Sequence, residues 1–316
     1  MNDHQAVRIV FMGTPDFAVA SLDALVQAGY QPVGVVTAPD KPSGRGLHLQ
    51  PSAVKTYALE KGIPLLQPEK LKDPSFLQAL DSWKADLQVV VAFRMLPEVV
   101  WNRPRLGTIN LHGSLLPQYR GAAPINWAII DGQTQTGVTT FLLQHEIDTG
   151  QILLQTPIPI GPHETAGELH DKMKEVGASL LVKTVQGWIE KTLTPTPQSE
   201  LFSALSELRH APKLTKETGT IDWHQRADSI HNLVRGLSPV PCAHTLLHGK
   251  LLKIIETMPL PEHNILLPGQ IETDGKTYLH FGCGKGALKI LQLQLEGKKR
   301  MPVSEFLKGY RFEEAQ

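Results

Sequence analysis

Asn110 and His112 stand two residues apart in the stretch Thr108-Ile109-Asn110-Leu111-His112-Gly113. In a strand, alternate residues share a face, so the amide and the imidazole project together while Ile109 and Leu111 point into a core. Such a pair suits acyl transfer. A carboxamide NH2 can donate to a developing oxyanion, and an imidazole can move a proton near neutral pH. Ending the strand at Gly113 puts His112 at its carboxyl end, where open α/β sheets hold their ligands. A His and an Asn tied to loop backbone would look the same, and the pair alone leaves both readings open. Asp148, ahead of Thr149-Gly150, is either a turn former or a carboxylate that orients and charges the imidazole. Gly121-Ala122-Ala123-Pro124, after Tyr119-Arg120, is a run of small residues that lets backbone approach a ligand.

Other chemistries lack their spacing. His145-Glu146 falls short of the helical H-E-x-x-H pattern because residue 149 is Thr, and the 13 His show no ligand spacing. Cys242 and Cys283 are the only cysteines, too few for a disulfide framework or an all-Cys zinc site. No metal is expected. Gly13-Thr14-Pro15-Asp16-Phe17 occupies a dinucleotide-loop position without the G-x-G-x-x-G pattern, and no Walker loop is present. The Gly/Pro-rich stretch 39–51 carries Lys41 and Arg45, as a solvated loop or as a grip on phosphates.

These groups need elements to position them. Apolar runs at 7–11, 33–37, 87–92, 108–112 and 137–143 read as strands, the third as one buried on both faces. Helical apolar spacing covers 17–28, 122–130 and, over a long stretch, 165–191. The alternation predicts an α/β fold with a doubly wound, mostly parallel sheet. Thr194-Pro195-Thr196-Pro197, Pro212 and Gly219 then break the regularity, so 192–220 reads as a linker. Beyond it come a helix at 227–237 and short strands at 251–256, 269–273, 277–281 and 288–295, the last with Leu291, Leu293 and Leu295 on one face. That pattern predicts a small β-barrel. The expected domains are therefore 1–191 and 221–316.

Charge follows the same division. The 316 residues hold 31 Lys/Arg and 31 Asp/Glu, which argues against a general basic coat for nucleic acid. Residues 1–207, however, carry 16 basic and 20 acidic groups, and residues 208–316 carry 15 and 11. The asymmetry suggests a catalytic part and a part that meets a polyanion. Candidates for phosphate contact on the positive part are Lys213, Lys216, Lys250, Lys253, Lys298, Lys299 and Arg300. No run approaches the ~18–20 apolar residues of a membrane span, and the first residues lack signal-peptide character, so a cytoplasmic protein is expected.

With these elements in place, the chain resembles the methionyl-tRNA formyltransferase family over nearly its whole length. The likeness rests on Phe-Met-Gly-Thr-Pro-Asp-Phe-Ala at 11–18, Thr-Ala-Pro-Asp-Lys-Pro-Ser-Gly-Arg-Gly at 37–46 and Leu-Gln-Pro-Ser at 49–52. It continues through 110–124, Asp148-Thr149-Gly150 and Ile221-Asp222-Trp223. The resemblance implies a formyltransferase-type domain followed by a β-barrel of the oligonucleotide-binding type. It implies 10-formyltetrahydrofolate as formyl donor, the α-amino group of initiator methionyl-tRNA as acceptor, and a monomer. Asn110, His112 and Asp148 become the catalytic trio. Phe93, Met95, Leu96, Ser114, Leu115, Leu116, Pro117 and Gly150 fall on the folate side, and the 39–51 loop on the acceptor arm. Two departures stand out. Leu47 and His48 replace two Lys of many relatives, so the loop is less basic. Phe93-Arg94-Met95-Leu96 replaces a Tyr-Gly-aliphatic segment, which leaves the folate contacts of Arg94 and Met95 open.

Overall fold

The computed structural model describes residues 7–43, 48–201, 207–261 and 265–312. Arg45 and Leu47 lie outside them. The chain divides into two compact units, each assembled from three separate stretches of sequence. One comprises Met1–Gly121, Gly137–Ile158 and His170–Arg209, the other Ala122–Thr136, Pro159–Leu169 and His210–Gln316.

The first unit is built on a seven-stranded sheet in the order Ile152–Pro159, Gln135–Leu142, Thr108–His112, Leu87–Val91, Ile9–Gly13, Gly34–Val36, Leu65–Leu66. Pairings from Thr108–His112 through to Leu65–Leu66 are parallel, whereas Gln135–Leu142 runs antiparallel to Thr108–His112. Ile9–Gly13 and Leu87–Val91 are buried along their full length, as strands covered on both faces must be. Val10, Met12, Val36 and Val90 meet Leu71, Phe76 and Leu80 in one apolar cluster. Pro157 and Pro159 hide the Ile152–Pro159 strand from a sequence reading, yet an edge strand tolerates the N–H groups they lack.

The second unit carries an antiparallel half-barrel sheet, Ala243–Leu247, Lys250–Leu260, Ala287–Leu295, Leu279–Gly282, Ile271–Thr273, with Met301–Pro302 paired to Ala287–Leu295. Its concave core takes Ile230 and Val234 from the helix Ala227–Gly236 against Leu252, Ile254, Phe281 and Leu293. The expected common face of Leu291, Leu293 and Leu295 is corrected here. Ile254 pairs with Leu293, Glu256 with Gln292 and Thr257 with Ile290, so Ile255 and Leu291 are each an extra residue in the ladder. The bulges switch the buried face from Leu288 and Ile290 to Leu293 and Leu295, leaving Leu291 half-buried. Cys242 and Cys283 are free and buried, and burial pushes the Cys283 thiol up to about 12.

His231, on the helix Ala227–Gly236, is buried and donates or accepts at both ring nitrogens: Nδ1 meets Thr257 Oγ1 at 2.9 Å and Nε2 meets His163 Nδ1 at 3.2 Å. Burial, then the neighbouring Arg235 and His163, lower its pKa from 6.5 to about 4, against weaker pulls from the Pro162 backbone and Asp228. The unfolded chain therefore binds the extra proton first as pH falls. The stability of this unit is full above pH 6.5 and declines by about 3 kcal/mol in all towards pH 4. Hydrogen exchange of the Ala227–Gly236 amides, followed from pH 7 to 4, should show that decline, and His231→Gln should flatten it.

Among the described residues no helix is long and apolar enough to cross a membrane.

Candidate active site

The Thr108–His112 strand sits inside the sheet, with Asn110 level with Val90 on one side and Phe141 on the other. Ile109 and Leu111 are buried in the core, which leaves Asn110 and His112 on the opposite face. The Asn110 side chain is half-buried, and among the described residues no hydrogen bond is made by its carboxamide. His112 is more constrained. It is 7% exposed, and its Nε2 lies 2.9 Å from the Tyr119 carbonyl. A carbonyl only accepts, so Nε2 carries the hydrogen and Nδ1 is the position at which a proton can come and go. That nitrogen faces Asp148 Oδ2 at 3.7 Å, an ion pair whenever the ring is protonated.

Asp148 is placed by backbone. Its Oδ2 accepts from the Gly121 N–H at 2.9 Å, and its own φ of 54° puts it in the left-handed region, which Asp, like Asn, tolerates better than most side chains. Gly150 follows in a buried position where a Cβ would run into the Leu142 carbonyl. Asn110, His112 and Asp148 are thus brought onto one face by a strand and a loop from distant parts of the chain.

The loop after His112 is folded by a hydroxyl that sequence reading did not single out. Thr139, opposite His112 in the ladder, donates to the Ser114 carbonyl at 2.6 Å and accepts from the Leu116 N–H at 3.1 Å and from Gln155 Nε2 at 2.9 Å. Gln155 also reaches the Leu116 carbonyl at 2.8 Å. The Ser114 hydroxyl donates to the Gln118 carbonyl at 2.6 Å, and Leu116 is buried against Phe141 and Ile152. Ser114, Leu116 and Gly150, expected on the folate side, therefore shape the loops with side chains or backbone already in use. Pro117 is buried as well, and Leu115 is half-buried over Gly137.

In the segment that follows Leu87–Val91, Arg94 donates to the Pro68 and Glu69 carbonyls, the latter at 2.8 Å, and its guanidinium lies 5.7 Å from the centre of the Phe93 ring. Burial draws its pKa down. The departure from the relatives at this position is thus a tether for the segment 93–96, which leaves Met95 72% exposed and Phe93 and Leu96 half-buried.

The basic candidates are surface groups. Lys41 is exposed on the short strand Lys41–Ser43, which pairs with His48–Gln50; the neighbouring Arg45 is outside the described residues. Asp40, at the base of this hairpin, is held below the usual carboxylate range by bonds from Lys55 at 2.6 Å and Gln67 at 2.8 Å. Lys213 and Lys216 are exposed near the start of the second unit's last segment. Lys298, Lys299 and Arg300 are exposed together between Ala287–Leu295 and Met301–Pro302, with Arg300 Nε donating to Gln292 at 2.8 Å. One His–carboxylate trio among the described residues, Asp16, His170 and Asp171, has metal-like proximity. Lys174 already contacts both carboxylates, at 3.5 and 3.4 Å.

Two family models match the chain: Formyl transferase over residues 7–185 and Formyl transferase, C-terminal domain, over residues 213–311. Methionyl-tRNA formyltransferase of Bacteroides fragilis is 54% identical over 314 residues, 98% of this chain and 97% of the relative. The chain belongs to the methionyl-tRNA formyltransferase family. The Parabacteroides distasonis member is 55% identical over 312 residues, covering 96% of each chain. Among solved structures, the N-formyltransferase of Helicobacter canadensis in complex with folinic acid and dTDP-3-aminofucose superposes with a TM-score of 0.66. It is 19% identical, covers 93% of this chain and all of its own (100%), and shares the fold. Sequence reading missed Thr139, Gln155 and Gln198, whose side chains bond backbone far away in sequence and so leave no local pattern.

Proposed function

We propose that Asn110, His112 and Asp148 carry out the transfer this family performs, moving the formyl group of 10-formyltetrahydrofolate to the α-amino group of initiator methionyl-tRNA. The observation that carries this reading is the Asn110 carboxamide, a donor on the same strand face as His112 and without a hydrogen bond to the described protein. A donor left unclaimed beside a proton-carrying ring fits a site whose partner is a substrate oxygen.

The reaction forms one C–N bond and breaks another. An α-amino group with a pKa of ~7.7–8.0 is partly neutral at pH 7 and attacks the formyl carbon directly. The carbonyl oxygen gains charge and accepts from the Asn110 NH2, a preorganised donor that strengthens as charge builds. His112 Nδ1 takes the ammonium proton, Asp148 Oδ2 balances the imidazolium, and the proton passes to the departing folate nitrogen. Nε2–H stays on the Tyr119 carbonyl throughout and fixes the ring. Phe93, Met95, Leu96, Leu115 and Pro117 supply the apolar surface on the folate side.

Residues 1–191 carry this chemistry, 192–220 connect, and 221–316 receive the tRNA through Lys298, Lys299 and Arg300, joined by Lys213 and Lys216 of the connecting stretch, with Lys41 and Arg45 toward the acceptor arm. The enzyme acts as a cytoplasmic monomer. Incubating the purified chain with 10-formyltetrahydrofolate and methionyl-tRNA should yield formylmethionyl-tRNA. The tRNA KM should rise with salt, log K falling by ~0.7–0.9 per neutralised phosphate for each tenfold rise in salt. No product, or a KM indifferent to salt, would remove the activity or the phosphate contacts respectively.

A further inference from the structure

We infer that Gln198 is a positioning residue of the active site, acting on catalysis through Asp148. The inference rests on the reaction proposed above. Gln198 lies in the stretch that reads as a linker and between the two family models, which end at 185 and resume at 213. It is nonetheless 4% exposed, and every hydrogen-bonding position of its amide is occupied. Nε2 donates to the Asp148 carbonyl and to the Gly150 carbonyl, both at 2.8 Å. Oε1 accepts from Arg120, Nε at 3.1 Å and a terminal nitrogen at 2.6 Å.

Those partners lie on both sides of the Asp148 carboxylate. Arg120 precedes Gly121, whose N–H holds Asp148 Oδ2, and the two carbonyls bracket Thr149 in the turn that carries Asp148. One amide therefore sets the donor and the acceptor of the Gly121–Asp148 bond against each other. The two Nε2 bonds hold the turn in which Asp148 adopts its left-handed φ. Two backbone bonds at 2.8 Å between Thr196 and Ile152 anchor the segment just ahead of Gln198 to the sheet, so the amide is not carried on a loose loop. Loss of the amide frees the carboxylate to drift from His112 Nδ1.

The test is a cycle of four proteins: wild type, Gln198→Met, Asp148→Asn and the double variant, each checked by near-UV circular dichroism. Gln198→Met should lower kcat for methionyl-tRNA formylation about 10²-fold, the scale of a ~1 Å misplacement, with both KM values within about twofold of wild type. With Asp148 replaced by Asn, the same change should lower kcat by less than about threefold, because its target is gone. A purely structural glutamine would cost the same factor in both backgrounds, and that result overturns the inference. Should Gln198→Met fail to fold, Gln198→Glu takes its place; it keeps the Arg120 acceptor and sets a carboxylate against the two carbonyls. A wild-type kcat in Gln198→Glu also overturns it. A wild type that forms no formylmethionyl-tRNA removes the reaction itself and the inference with it, whereas an active wild type with additive variants removes the inference alone.

Discussion

An Asn110→Ala enzyme should turn over about 10²–10³-fold more slowly than wild type, yet melt at the same temperature. The two halves of that result come from one observation. Because the half-buried carboxamide makes no hydrogen bond within the described protein, its removal strands no buried partner and should leave folding stability nearly untouched. The entire loss should fall on the transition state, where a donor aimed at the oxyanion is worth about 3–4 kcal/mol. KM for either substrate should hardly move. His112→Ala should lower kcat at least as far, but it also releases the Tyr119 carbonyl and is expected to melt somewhat lower. Single-turnover formylation and thermal melts of both variants separate the cases. Near-normal turnover in Asn110→Ala would take the oxyanion role away from that residue.

Phe141→Ala is expected to cost about 3–5 kcal/mol, the range for deleting a buried aromatic ring from a packed core. Total stabilities of ~5–15 kcal/mol make that a large share, so a urea midpoint should fall steeply with little change in slope. Phe141 is fully buried and packs on Leu116 and Ile152, directly behind the loop that follows His112. Its loss should therefore lower kcat as well, by loosening the loop that Thr139 and Gln155 tie down. Asn110→Ala and Phe141→Ala thus make opposite pairs of effects, one on rate alone and one mainly on stability. A midpoint shift below about 1 kcal/mol would mean that the surroundings close over the missing ring.

The sheet of the first unit was legible because burial on both faces writes itself as uninterrupted apolar runs, most clearly in Leu87–Val91. Thr108–His112 was legible for a different reason. Its alternation separates Ile109 and Leu111 from Asn110 and His112, and that separation is what exposes the chemistry. Ile152–Pro159 was not legible, since prolines and Gln155 mask its alternation at an edge. Leu291 was misplaced because a bulge shifts the phase by one residue, and a bulge depends on the partner strand. Within the site, Asp148 could be found by its turn, but its partner Gly121 N–H could not. Thr139, Gln155 and Gln198 were invisible for the same reason: each bonds main chain, which every residue has. Of the residues expected on the folate side from family likeness, Ser114 and Leu116 are side chains that hold the loop after His112 together.

The division of the chain into compact units bears on how it can be cut. The second unit is completed by Ala122–Thr136 and Pro159–Leu169, which leave the first unit's run of sequence and return to it. Within that unit Asn126 donates to the Gly236 carbonyl at 2.8 Å, Arg235 donates to the Gly161 and Glu164 carbonyls, and Gly167 lies against Pro239 with no room for a Cβ. A stop codon after residue 207 would orphan two inserted segments, and a gene fragment from 208 onward would lack two of its own walls. Neither half is a cassette. Recombination can exchange such a unit between relatives only by moving three stretches together, and the nascent chain can close the second unit only after its last stretch has left the ribosome.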